Sequence, residues 1–180
     1  PLWGTEIFPE YYSRFEKAAR ETEGVTLTWE GHFIDPLFTH TTTGFTRPGD
    51  EEHPYLASVS CVHDPEEEGF VQEMIMQPEE AAKRVSAIPA GDGSFRTIPP
   101  EAFPEQVQII SRDEAGYALQ LQIGGFPFNG EEVRLALGLP SACFELNRHG
   151  SDVRFTVRGR GHGWGLSQTE AQALAEDGWS

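Results

Sequence analysis

The 180-residue chain carries 29 acidic against 13 basic side chains, a formal net charge of −16, which argues against nucleic acid as a partner, since phosphates call for clustered Lys and Arg, and against a polybasic grip on anionic lipid. A hydrophobic content of 38% with 23% charged residues excludes a compositionally disordered chain, and no apolar run approaches the roughly 20 residues that span a bilayer, so no direct membrane insertion is expected. The length suits one domain, or a domain with a subdomain, and 19 Gly with 13 Pro favour turns and short elements over a helix bundle.

Residues 10–23 place Phe15, Ala18, Ala19 and Thr22 at helical spacing, with Gly24 as the stop. Residues 25–30 alternate as a strand and His32–Thr39 reads as a second, the two forming a hairpin about Glu30-Gly31. A polar loop over 46–54 precedes a short strand, Tyr55–Val62. The acidic run 64–68 reads as exposed. Pro78–Val85 starts with Pro and two acids, a good helix N-terminus, and the Pro- and Gly-rich residues 89–105 read as a connector. Val107–Ser111 and Tyr117–Ile123 read as strands, the second with Tyr117, Leu119, Leu121 and Ile123 on one face. Asn129–Leu137 reads as a helix ended by Gly138. Phe144–Leu146 and Val153–Val157 read as strands. Residues 167–177 read as a helix with Ser167 as N-cap and Glu170 completing a capping box. Strand pairs with scattered helices make the class α+β with mainly antiparallel sheet. Cys61 and Cys143 are open between a disulfide, a ligand pair and two buried thiols, the last being the ordinary use of free Cys.

Two segments carry chemistry. Residues 158–168, RGRGHGWGLSQ, alternate glycines with other residues between a strand and a capped helix. Neither dinucleotide nor P-loop spacing is present, and the loop has no Lys, which disfavours a phosphate cradle. His162 stands between glycines and ahead of Ser167 and Gln168. A lone His is more often structural, but here polar groups converge at a strand-to-helix turn, and the two readings balance. The run 39–46, THTTTGFT, reads either as β-branched filling of an edge strand or as an imidazole and hydroxyls facing a groove. The residues alone favour the first.

Together these segments resemble the stage II sporulation protein D family. The match runs through Glu21-Thr22-Glu23-Gly24-Val25-Thr26-Leu27, then His40-Thr41-Thr42-Thr43-Gly44, then Pro54-Tyr55-Leu56-Ala57-Ser58-Val59. It continues through Glu132-Val133-Arg134-Leu135-Ala136-Leu137-Gly138-Leu139 to Gly161-His162-Gly163-Trp164-Gly165-Leu166-Ser167-Gln168, with Ala171 and Ala175 following. It covers about Tyr12 to Ser180. Phe45 stands where the family has a second glycine, and Thr169-Glu170 where it has an aromatic and a glycine. The family's catalytic glutamate lies upstream of everything here. Glu73-Met74 has the wrong order to replace it, and the family continues past this C-terminus with a Tyr-rich stretch. The chain therefore reads as the C-terminal portion of such a domain, truncated at both ends.

The resemblance implies a peptidoglycan lytic transglycosylase, an exported cell-envelope protein whose parent is anchored by an N-terminal segment. It breaks the MurNAc–GlcNAc bond with one acid/base and leaves a 1,6-anhydro product, unlike the two-carboxylate hydrolases. It implies His162, Ser167 and Gln168 as supporting residues, with His40, Thr42, Thr43, Gly44, Gly163 and Gly165 on the glycan side, and no cofactor. A rival is a non-catalytic glycan-binding module that assists a cell-wall amidase. A second is a zinc site built from His40, Cys61 and His63, which lacks a clear fourth ligand. An unrelated hydrolase using Ser167 and His162 is disfavoured, because no GxSxG elbow surrounds the serine.

Overall fold

The computed structural model describes residues 8–179, with side chains from Tyr11 onward, and divides the chain into one compact unit up to Pro36 and another from Leu37. In the first unit α1 spans Phe8–Glu21, beginning and ending two residues before the expected 10–23. Thr22 donates its hydroxyl to the Ala18 carbonyl at the helix end. The expected hairpin forms, but only as β1 (Thr28–Trp29) against β2 (His32–Phe33). The second strand does not run on to Thr39. Asp35-Pro36 interrupts it, since Pro supplies no ladder N–H and biases its predecessor, and Phe38–Thr39 becomes a separate strand, β3.

In the second unit β3 is followed by β4 (Val71–Met76), α2 (Pro78–Ser86), β5 (Val107–Arg112), β6 (Ala118–Ile123) and β7 (Phe126–Asn129). Then come α3 (Gly130–Leu137), β8 (Phe144–His149), β9 (Asp152–Arg158), β10 (Leu166–Ser167) and α4 (Gln168–Glu176). Two antiparallel three-stranded sheets have the orders β4-β9-β8 and β5-β6-β7. β3 and β10 pair in parallel, Phe38 with Leu166 and Thr39 with Ser167. The class is α+β with mainly antiparallel sheet, as the alternating segments imply.

One apolar cluster joins the sheets to the helices. Leu121, Ile123 and Phe128 come from one sheet. Phe144, Val153, Phe155 and Val157 come from the other, and Ala82, Val85, Val133 and Leu137 from α2 and α3. Val153, Phe155 and Val157 face inward at every second residue, as their spacing requires. α3 begins on the side chain of Asn129, which accepts the Glu131 amide, and ends at Gly138.

Two expectations fail and two strands go unread, each for a physical reason. Tyr55–Val62 forms no strand. Apart from one bridge, Phe45 to Ser60, its backbone is held by Thr46, whose hydroxyl accepts the Val59 amide. β4 has apolar residues on both faces (Val71 and Ile75 against Met74 and Met76), which blurs the period-2 signal. β7 contains Pro127, tolerated because the strand is a sheet edge. Leu119 leaves the face of Leu121 and Ile123, because register shifts in the β5–β6 pairing put Ala118 inside and leave Leu119 39% exposed.

Among the described residues no helix is long and apolar enough to cross a membrane. Phe155→Ala should cost about 3–5 kcal/mol in urea denaturation, whereas Leu135→Ala, at an exposed position of α3, should stay within about 0.5 kcal/mol.

Candidate functional site

The parallel pairing of β3 with β10 brings the start of the THTTTG run beside the end of the glycine run. Thr41 and Arg160 exchange both backbone bonds, at 2.9 and 2.8 Å. Gly159 and Gly161 permit this approach, since a Cβ would press on the Thr41 and Thr42 carbonyls at the first and on the Thr39 hydroxyl at the second, and two further glycines pack closely beside them. Gly163 (φ 83°) lies against the Tyr117 ring, and Gly165 (φ 76°) against the Leu37 carbonyl, so a Cβ at either would collide with its neighbour. Both predicted glycines thus serve close packing.

Beneath this junction sits Asp64, fully buried. Its Oδ2 accepts from the Thr42 amide and the Thr42 hydroxyl, both at 2.6 Å, and the Ser167 hydroxyl reaches both carboxyl oxygens at 2.8 and 2.9 Å. The two hydroxyls are themselves acceptors, of the Gly44 amide and the Glu170 amide. Each hydroxyl proton is therefore free to point at Asp64. The site suits an acceptor-only group, a carboxylate. The acidic run predicts exposure, which holds for Glu66, Glu67 and Glu68 and fails for Asp64. Its one distinguishing mark is the Pro65 that starts a 3₁₀ turn over Asp64–Glu66. Thr42 and Ser167 are consequently buried anchors, and neither presents its hydroxyl to a cleft.

The Ser167 cap of α4 forms as expected, but only half of the capping box does. The Glu170 carboxylate turns to His63, accepting its backbone amide at 2.8 Å and meeting Nδ1 at 3.1 Å. That bond holds the His63 imidazole above its ordinary value of 6.5, with further help from the charges of Glu170, Asp177 and Glu66.

A cleft of about 570 Å³ opens beside these anchors, lined by His40, His63, Gln168, Thr169 and Gln172 with the acids Glu66, Glu67 and Glu176. His40 and Gln168, from opposite ends of the sequence, share this wall. His40 Nδ1 lies 2.7 Å from the Thr41 hydroxyl, which lies 2.9 Å from the Thr169 hydroxyl. Thr169 also donates its amide to the His40 carbonyl at 3.1 Å. The smaller neighbouring cavity, about 200 Å³, shares His40 and Glu67 with the cleft and contains Gln72 and Arg160.

The other predicted residues go elsewhere. Thr43 donates its hydroxyl to the Ala115 carbonyl, and Gly44 turns the chain at φ 105°. His162 is half-buried and stacks on Trp164, whose amide donates to its Nδ1 at 3.1 Å. Nδ1 is therefore an acceptor, and burial pushes this imidazole below 6.5. Its surroundings are built on Arg47, which is 3% exposed. The Arg47 guanidinium pairs with Asp113 and Glu131 and lies 3.7 Å from the Trp164 ring centre. No feature of the sequence singled out Arg47. Cys61 and Cys143 are both free and buried. Burial raises the Cys61 thiol. Among the described residues no three His, Cys, Asp or Glu side chains converge as a metal ion would need, so His40, Cys61 and His63 are not brought together as ligands.

Asp64→Asn puts an amide donor against the Ser167 or Thr42 hydroxyl and should lower stability by about 2 kcal/mol in urea denaturation, because a bond to a charged acceptor is lost. In a proton NMR titration the His63 ring should reach its midpoint above pH 6.5 and the His162 ring below it. Protonation of His162 therefore favours the unfolded chain, and its stability contribution falls as pH drops below 6.5.

No family model matches the chain. It is 28% identical over 182 residues to stage II sporulation protein D of Bacillus amyloliquefaciens, an alignment that covers 99% of this chain and 49% of that protein. It is also 28% identical over 180 residues to stage II sporulation protein D of Bacillus subtilis (strain 168), covering 98% and 49%. The chain spans about half the length of the curated relatives it matches. Along nearly its whole length the chain is thus similar to curated proteins named stage II sporulation protein D.

Proposed function

We propose that the chain is the glycan-holding part of a sporulation protein that acts on the cell wall, and that the whole protein is a lytic transglycosylase of peptidoglycan strands. One observation carries this reading: the THTTTG run and the Ser-Gln end of the glycine run, both marks of the family, meet on a single buried carboxylate beside an open polar cleft. Imidazole, amide and hydroxyl groups on that wall offer both donors and acceptors, as sugar hydroxyls require. An open cleft fits a polymer better than an enclosed pocket does.

In the proposed reaction a carboxylic acid protonates the oxygen leaving C1 of MurNAc while the O6 of the same sugar attacks C1 and passes its proton to the carboxylate so formed, which restores the acid. The 1,6-anhydro ring closes with no water consumed. We assign that acid to a part of the protein outside these residues. Glu170 is engaged by His63, and Glu131 by Arg47 and Arg134. His40 and Gln168 would hold the strand. The setting that follows is the extracytoplasmic face of the cell envelope, with glycan strands as the partner.

Peptide-stripped glycan strands incubated with the longer protein should yield 1,6-anhydroMurNAc ends by mass spectrometry, and Gln168→Ala in that protein should lower the initial rate by about 10-fold, the loss expected when one or two hydrogen bonds to the bound strand are removed. Hydrolysed, reducing MurNAc ends in place of anhydro ends would overturn the reaction assigned. An unchanged rate for Gln168→Ala would remove this cleft from the glycan path.

A further inference from the structure

Glu170 stands where the family resemblance expects a glycine, and its carboxylate reaches a residue that the resemblance does not use. One carboxylate holds His63 at two points, the backbone amide at 2.8 Å and Nδ1 at 3.1 Å. The clamp is rigid. The Glu170 side chain is 11% exposed, and its own amide is tied to Ser167, which is tied to Asp64. Because Nδ1 faces a carboxylate, it carries the proton, so the neutral ring exposes the lone pair of Nε2. His63 is a third exposed at its side chain and lines the cleft with His40 and Gln168. No bond to its Nε2 is present among the described residues.

Resting on the reading of this cleft as a glycan site, we propose that His63 is a sugar-contacting residue of the cleft, accepting a hydroxyl hydrogen bond at Nε2, with Glu170 as its positioning residue. The pairing converts the imidazole from a mobile surface group into a fixed acceptor. The other acceptors of this wall are the carboxyl groups of Glu66, Glu67, Glu176 and Asp177 and groups that also donate, the amides of Gln168 and Gln172 and the hydroxyl of Thr169.

A pH dependence follows. His63 is faced by Glu66 and Glu67 from the turn after Asp64, by Glu170, Glu176 and Asp177 from α4 and its end, and by His40 from the β3 side. All the acids favour the imidazolium. Protonation turns Nε2 from acceptor to donor and ends the bond to a hydroxyl proton. Binding should therefore be weak well below pH 6.5 and strengthen as pH rises through the raised midpoint of His63.

The test is calorimetric titration of this chain with peptide-stripped peptidoglycan glycan strands at pH 5.5 and 8. His63→Asn keeps a donor at the Nδ1 position, hence the clamp to Glu170, and removes Nε2. It should bind about 5-fold more weakly than the unmodified chain at pH 8, the loss of one hydrogen bond, with an unchanged thermal midpoint. Glu170→Gln should shift the pH at which binding strengthens to a lower value. Strands that bind the unmodified chain and His63→Asn equally at both pH values would overturn the proposal while leaving the glycan cleft intact. Strands that bind neither would overturn the glycan reading and this proposal with it.

Discussion

A carboxylate taken out of water is tolerated only where donors replace the water. Asp64 meets that demand with the Thr42 amide and two hydroxyls, all of them uncharged. No cation pairs with it among the described residues, so the geometry of those bonds has to be held by the fold. Each hydroxyl is fixed a second time by accepting a backbone amide. Thr42, Gly44, Ser167 and Glu170 thereby become one unit, and α4 takes its starting point from the same carboxylate that shapes the THTTTG turn. The cleft wall inherits its order from beneath. His40 and Gln168 sit two residues and one residue from the two anchoring hydroxyls.

A second centre repeats the logic with opposite charge. The Arg47 guanidinium is buried between Asp113 and Glu131 and covered by aromatic rings. Arg suits such a place because its planar fork satisfies two carboxylates while its face stacks on an indole. Arg47 also donates to the His162 carbonyl, so the imidazole that the motif displays most prominently is set by this cluster. The glycine-rich run thus has two ends with different work. The His162 end locks onto Arg47 and Trp164, and the Ser167–Gln168 end faces the cleft.

What the residues disclosed beforehand was whatever repeats or caps locally. β9 with its alternating Val153, Phe155 and Val157, α3 between Asn129 and Gly138, and α4 behind Ser167 are all written in neighbouring positions. The parallel pairing of β3 with β10 is written nowhere locally, since two-residue strands have no period to read. Asp64 was hidden for a related reason. Burial of one acid in a run of four depends on partners at positions 42 and 167, and charge alone points every one of them outward. Glu170 fitted a capping box, and half of that box formed. Its carboxylate went to His63, a partner more than a hundred positions away, which no i to i+3 rule anticipates.

The anchoring bonds of the site span extreme separations along the chain. Thr42 and Asp64 are 22 positions apart, but Ser167 is 103 positions from Asp64, and Thr169 is 128 from Thr41. Loop closure of that length costs entropy before any bond repays it. On a ribosome, the segment carrying His40 is finished long before the segment carrying Gln168 emerges. The cleft wall therefore waits for the last part of the chain: His40 meets its neighbours only when Leu166 and Ser167 are available to pair with Phe38 and Thr39.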